Sequence, residues 1–102
     1  MNTQKLIIAG AGPAGVSAAI YAARCGITPL VLYKDGGALE KAVKIENYYG
    51  MPAPLSGKDL YENGLKQLQD LSVPTRKEEL LSIEYEEGYL VHTATEDFHT
   101  KL

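Results

Sequence analysis

The 102-residue sequence predicts an α/β fold, a parallel βαβ core followed by an antiparallel β-meander, and three observations carry that expectation. A short apolar run, Leu6 to Ala9, passes straight into a glycine-rich turn and then into small and apolar residues. A second apolar run, Leu30 to Leu32, follows Gly26. From Leu80 onward the apolar spacing changes to alternation, broken at Glu86-Glu87-Gly88 and at Glu96-Asp97. An unbroken apolar run suits a parallel strand covered on both faces, whereas alternation suits a half-solvated antiparallel one.

No element is expected before Leu6, and Leu6 to Ala9 is the first strand. The turn that follows, Gly10-Ala11-Gly12-Pro13-Ala14-Gly15, has the GxGxxG spacing. Each glycine answers a separate need. Gly10 permits a tight turn, Gly12 leaves no side chain between the backbone and a pyrophosphate, and Gly15 lets helix and strand pack closely. The N–H groups at the helix start, backed by the aligned peptide dipoles, would then face the anion. A glycine-rich turn can also exist simply because the chain needs positive φ, so the strand before and the helix after are what give the spacing its weight. That helix presents Ala14, Ala18, Ala19, Ala22 and Ala23 and ends on Gly26 as a cap. Cys25, the lone cysteine, falls in its last turn and reads as a small packing residue.

Thr28 to Tyr33 forms the second strand, with Pro29 near its beginning. Lys34 to Leu55 is expected to be irregular, carrying Gly36-Gly37, Gly50, Pro52 and Pro54, and its length marks it as able to wrap a ligand. Ser56-Gly57-Lys58-Asp59 has the form of a capping box. The helix it opens should bury a stripe of Leu60, Gly64, Leu65, Leu68 and Leu71 and end between Ser72 and Pro74, with a short third parallel strand near Val73. Leu80 to Tyr85 and Tyr89 to Thr95 are the first strands of the meander, and Phe98 to Leu102 begins a further one. His92 and His99 read as ordinary strand histidines, with no cysteine or further histidine to complete a metal set.

A formal net charge of −3 argues against general nucleic-acid affinity. The charges are unevenly placed. Lys5, Arg24 and Lys34 lie in the stretch that holds the proposed anion site, while Glu78, Glu79, Glu84, Glu86, Glu87, Glu96 and Asp97 crowd the far end and read as a solvated face. No basic leader and no run of about twenty apolar residues is present, so a soluble cytoplasmic protein without a membrane segment is the expectation.

Taken together, several stretches resemble the thioredoxin reductase-like flavoproteins among the pyridine nucleotide-disulfide oxidoreductases. They are the glycine turn, Ala18-Ala19-Ile20-Tyr21-Ala22-Ala23-Arg24, Gly36-Gly37, Ile45-Glu46-Asn47-Tyr48-Tyr49-Gly50 and Leu55-Ser56-Gly57-Lys58-Asp59-Leu60. The resemblance implies a Rossmann-like FAD/NAD(P)-binding domain, with residues 1–102 as the N-terminal portion of the FAD domain. It implies FAD as the cofactor, its pyrophosphate over Gly10, Gly12, Pro13, Ala14 and Gly15, its adenosine end near Tyr33 and Lys34 with the region of Glu79 and Leu80 approaching adenine, and its flavin end near Gly37, Ala38 and Asn47.

Two positions depart from the pattern. Tyr33 stands where the general fingerprint has an acid for the ribose hydroxyls, Asp35 falling two residues late, and Ala38 stands where the family has a glutamine after the glycine pair. Family members are also about three times as long, with a nicotinamide-binding domain, in the reductases a redox CxxC, and a closing FAD segment. The resemblance therefore implies a parent that passes electrons from NAD(P)H through FAD to a disulfide or other acceptor, with no NAD(P)H site and no catalytic residue in this chain. It further implies a fold incomplete at the C-terminus, left with one face and one edge of the parallel sheet open and the strand from Phe98 unpaired. Partners would be the remainder of the parent chain or another copy in a homo-oligomer. A free-standing flavin-binding module, or a ligand-free interaction protein on the same fold, stays open.

Overall fold

The computed structural model describes residues 2–102. In chain order the elements are β1 (Asn2–Gln4), β2 (Ile7–Ala9), α1 (Pro13–Arg24), β3 (Leu30–Tyr33), α2 (Gly37–Lys41), α3 (Gly57–Asp70), β4 (Thr75–Lys77), β5 (Leu80–Tyr85), β6 (Tyr89–Thr93) and β7 (Asp97–Thr100). They form two sheets. One is parallel, in the order β2-β3-β4, and the other runs β1-β7-β6-β5.

The predicted βαβ unit is present, with Ile7, Ile8 and Ala9 in register with Leu30, Val31 and Leu32. Alternation along β3 explains why its residues are all apolar. Val31 joins Val16, Ala19, Tyr61, Leu68 and Val73 in a core beneath α1 and α3, with Tyr33 packed against it. Leu30 and Leu32 point the other way, into a second core with Val91 and Phe98. The result is three layers, helices, parallel sheet and meander, so both faces of the central sheet are covered.

That arrangement corrects the expectation of an open face and an unpaired last strand. The sequence pattern shows no apolar run before Leu6, yet Asn2–Gln4 forms a strand that pairs in parallel with β7, Asn2 opposite Phe98. β7 pairs on its other side with β6, Val91 opposite Phe98, and the Phe98 side chain is fully buried. The unpaired edges belong instead to β2, β4, β1 and β5, and on β2 the Ile7 N–H donates to Leu102 O at 3.0 Å.

Other corrections are local. The 34–55 stretch is not wholly irregular, since it holds α2 and a bridge between Ile45 and Leu55. The third parallel strand lies two residues beyond Val73, which is itself a core residue. On α3 the buried side chains are Tyr61 and Leu68, while Leu71, at the C-cap, is exposed. Cys25 is exposed at the C-cap of α1 and is not a packing residue. Gly26 follows in the left-handed region with φ +86°, as a glycine beyond a helix end should.

The acidic far end is more than a solvated face. Arg76 of β4 lies over the Phe98 ring at 5.3 Å and pairs with Glu96, which fastens the edge of the parallel sheet to the β6–β7 turn. Glu78 accepts hydrogen bonds from Thr95 and Thr93, the first above all holding its carboxyl below the usual carboxylate range. His92 is not an ordinary strand histidine either. Its Nε2 lies 2.7 Å from Glu84 of β5 and its Nδ1 2.8 Å from Asp97 of β7, so one imidazole ties three strands.

Candidate functional site

The turn from β2 into α1 has the form a phosphate cradle requires. Gly10 has φ +117° and its N–H donates to Leu32 O at 2.7 Å, which anchors the turn to β3. A Cβ at Gly15 would overlap the Gly10 carbonyl, so only glycine allows the helix to start this close to the strand. A Cβ at Gly12 would meet no atom within 4 Å. Nothing in the fold itself therefore calls for glycine at position 12, where φ −75° and ψ −174° is backbone that any residue adopts.

The two long helices begin differently. At α3, Ser56 Oγ accepts from Asp59 N at 3.1 Å and Asp59 supplies a first-turn acid. Both features satisfy the free N–H groups and the positive end of the dipole from within the chain. At α1 no side chain caps, no acid lies in the first turn, and Pro13 removes one donor. Its N-terminus thus has neither of the two features that α3 has.

Beside this turn lies a cleft of roughly 220 Å³ whose lining includes Gly12, Pro13, Val16, Tyr48, Met51 and Tyr61. The Tyr48 to Met51 loop thus meets the N-terminus of α1 across the cleft. Tyr61 and Val16 were not singled out by the sequence pattern. The signal for Tyr61 was its spacing of four and seven residues from Leu65 and Leu68. Burial, then the nearby Tyr33, raises the Tyr61 phenol above its ordinary pKa.

The remaining expected residues lie at the end of β3, in α2, in the loop after it and at the start of β5. Tyr33 packs edge-on against Tyr61, ring centroids 6.4 Å apart, so its ring belongs to the helix-side core. Lys34 reaches Glu79, Nζ to Oε1 3.7 Å. Gly37 takes φ +60° and its N–H donates to Asp35 Oδ1 at 2.8 Å. Ala38 and Asn47 are exposed, and Asn47 immediately precedes the cleft-lining tyrosines. Leu80 packs its side chain against the second core. The structure thus brings Gly10, Gly12, Pro13, Ala14 and Gly15 together as one turn, with Leu80 apart from it at the start of β5. Among the described residues, no group of His, Cys, Asp and Glu could hold a metal ion, and no helix is long and apolar enough to cross a membrane.

Known proteins match this geometry. A thioredoxin reductase of Gloeobacter violaceus superposes with a TM-score of 0.91 at 30% identity, over 98% of this chain and 33% of its own. That of T. acidophilum superposes with a TM-score of 0.86 at 31% identity, over 99% of this chain and 34% of its own. The chain is thioredoxin reductase-like. In sequence it is 60% identical over 57 residues to the thioredoxin reductase of Aquifex aeolicus, covering 54% of this chain and 18% of that one. To the thioredoxin reductase of Chlamydia pneumoniae it is 33% identical over 90 residues, covering 83% of this chain and 29% of that one. No family model matches the chain. It spans about a third or less of these thioredoxin reductases.

Proposed function

We propose that residues 1–102 are the N-terminal portion of an FAD-binding domain in a flavin-dependent oxidoreductase that passes electrons from NAD(P)H through FAD to a disulfide or other acceptor. The observation that carries the reading is the uncapped N-terminus of α1 behind an open Gly12, set against the Ser56-capped α3. Gly10, Gly12, Pro13, Ala14 and Gly15 hold the pyrophosphate, the first-turn N–H groups of α1 donating to it. Tyr33 and Lys34 stand toward the adenosine, and Gly37, Ala38 and Asn47 toward the flavin. FAD supplies the electron-transfer chemistry when bound, and this chain supplies binding, orientation and the local field.

NAD(P)H and the electron acceptor engage further parts of a longer parent chain. A homo-oligomer in the cytoplasm, without nucleic-acid or membrane partners, completes the proposal. The experiment is a titration of the purified chain with FAD and with FMN, followed by flavin fluorescence. FAD should bind and FMN, which lacks the pyrophosphate and adenosine, should bind far more weakly. Replacing Gly12 with Val should abolish FAD binding while the far-UV spectrum stays unchanged. Equal binding of FAD to both proteins would refute the cradle.

A further inference from the structure

Tyr61 of α3 has a ring that the fold uses and a hydroxyl that it does not. The residue is only 8% exposed, and its ring packs in the helix-side core, edge-on to Tyr33. A phenylalanine would fill that place as well. Among the described residues no group hydrogen-bonds to the phenol oxygen, and since every fully enclosed side-chain oxygen there has a partner, this one is open. It opens on the cleft between α1 and α3, which Tyr61 lines with Val16 and Ile20 from α1, Leu60 and Gly64 from α3 and Met51 from the covering loop. Gly64 places no side chain between the helices, where a Cβ would come within 3.4 Å of Val16, and the loop is pinned at its base by the Ile45–Leu55 bridge.

We propose that this cleft, adjoining the dinucleotide cradle at Gly12 and Pro13 but distinct from it, binds a small neutral aromatic molecule bearing a carbonyl group, whose oxygen accepts from the Tyr61 hydroxyl. The proposal does not rest on the dinucleotide reading. A ligand entering the cleft strips water from the phenol, and a donor left without an acceptor weakens binding, so the ligand has to bring one. Burial, then Tyr33, Glu40, Asp35 and Glu62, raise the phenol pKa, so the group remains a donor at neutral pH. The same three carboxylates oppose a negative charge at the phenol, which separates this ligand from the anion that the uncapped end of α1 attracts. The other walls are largely apolar, which suits a ring. An apolar cavity of about 150 Å³ holds benzene, so roughly 220 Å³ admits one ring or two fused ones.

The test is NMR titration of the isotope-labelled chain with 2-acetylnaphthalene, with its near-isostere 2-isopropenylnaphthalene, which lacks the acceptor, and with 2-naphthoate, in the wild type, Tyr61→Phe and Ser17→Leu. The ketone should shift amide signals along the facing sides of α1 and α3 and bind more tightly than the naphthoate. Tyr61→Phe keeps the ring and removes the donor, so it should weaken the ketone about three- to tenfold, the worth of one hydrogen bond, and leave the hydrocarbon unchanged. Ser17 is exposed at the edge of the cleft, and Ser17→Leu should weaken both while the melting temperature holds. FAD affinity should be the same in Tyr61→Phe as in the wild type. No binding of the ketone, equal ketone affinity in the wild type and Tyr61→Phe, or tighter binding of the naphthoate than of the ketone would overturn the site. A fall in FAD affinity in Tyr61→Phe would put the phenol in the dinucleotide cradle and overturn the distinction. Indifference of FAD binding to Gly12→Val would refute the cradle and leave this site standing.

Discussion

Two glycines of one turn should fail in opposite ways when a methyl group is added. At Gly15 the new Cβ would overlap the Gly10 carbonyl, a backbone atom that cannot rotate aside. Gly10 is itself held by its bond to Leu32 O and by a φ of +117°, so relief requires α1 to shift off β2. Overpacking of this kind costs about 1–3 kcal/mol, and backbone displacement puts Gly15→Ala at the upper end. For a chain of about 100 residues that lowers the thermal midpoint by on the order of 10–20 °C. At Gly12 the methyl enters open space on backbone of ordinary dihedrals. The loss of a glycine N-cap, up to about 1 kcal/mol, is offset by about 0.4–1 kcal/mol from a stiffer unfolded chain. The midpoint should therefore hardly move.

Binding should separate the pair in the reverse order. A side chain at position 12 keeps the anion from the first-turn N–H groups, and each charge-assisted bond lost costs about 1.5–3 kcal/mol, or about ten- to a hundredfold in affinity. Gly12→Ala should weaken FAD binding by at least about tenfold and Gly12→Val should remove it. The assay is a thermal melt by circular dichroism alongside FAD titration of both alanine variants. A Gly12→Ala protein that melts early, or that binds FAD as the wild type does, would refute the division of labour argued for the turn.

Further outcomes follow from other contacts. Glu84, then Asp97, raise the His92 pKa by hydrogen bonding, so the clamp adds stability that is fully present below the unfolded histidine value near 6.5 and fades as pH rises through the higher folded value. His92→Gln should accordingly lower the melting point at pH 6 and leave it unchanged at pH 9, and NMR titration should place His92 above a free histidine. Gly57→Ala should destabilise the chain, because a Cβ there meets the Leu39 and Ala42 carbonyls, and urea unfolding would register it. Asn47→Ala should leave stability within about 0.5 kcal/mol, as for an exposed residue, while changing flavin fluorescence in the FAD complex; an unchanged spectrum would assign Asn47 to the turn alone. Added NADPH and a disulfide should show no consumption with the 102-residue chain, since its single cysteine cannot form a redox dithiol.

What was legible in the sequence was whatever periodicity and glycine chemistry encode locally. The βαβ unit, the Ser56 cap and the meander follow from patterns of a few residues, and so does the turn geometry at Gly10 and Gly15. Asn2–Gln4 was not legible because it is polar and becomes a strand only by pairing with β7, nearly a hundred residues away. The cover on the second sheet face was missed for a related reason. Phe98 and Val91 alternate like any half-buried strand, and nothing in that alternation says which layer lies beneath them. The roles of Arg76, Glu78 and His92 depend on strand register, which charge counting does not contain. At the site, Gly12 could be named from spacing, whereas the region of Glu79 and Leu80 could be named only through the family resemblance.

The contrast between the two helix starts ties stability to binding in one physical choice. An oxygen-bearing N-cap in place of glycine adds at most a few tenths of a kcal/mol, and an acid in the first turn about 0.3–1 kcal/mol. The chain has such groups at Ser56 and Asp59, where the helix has only to be held in place. At α1 it has neither, although Gly12 is sterically free to be serine or aspartate. An aspartate there would satisfy the N–H groups and cancel the positive end of the dipole, the two properties that attract a pyrophosphate. The missing cap is thus a small standing cost in the ligand-free fold, and a bound dinucleotide recovers it by supplying from outside the charge that α3 carries within itself.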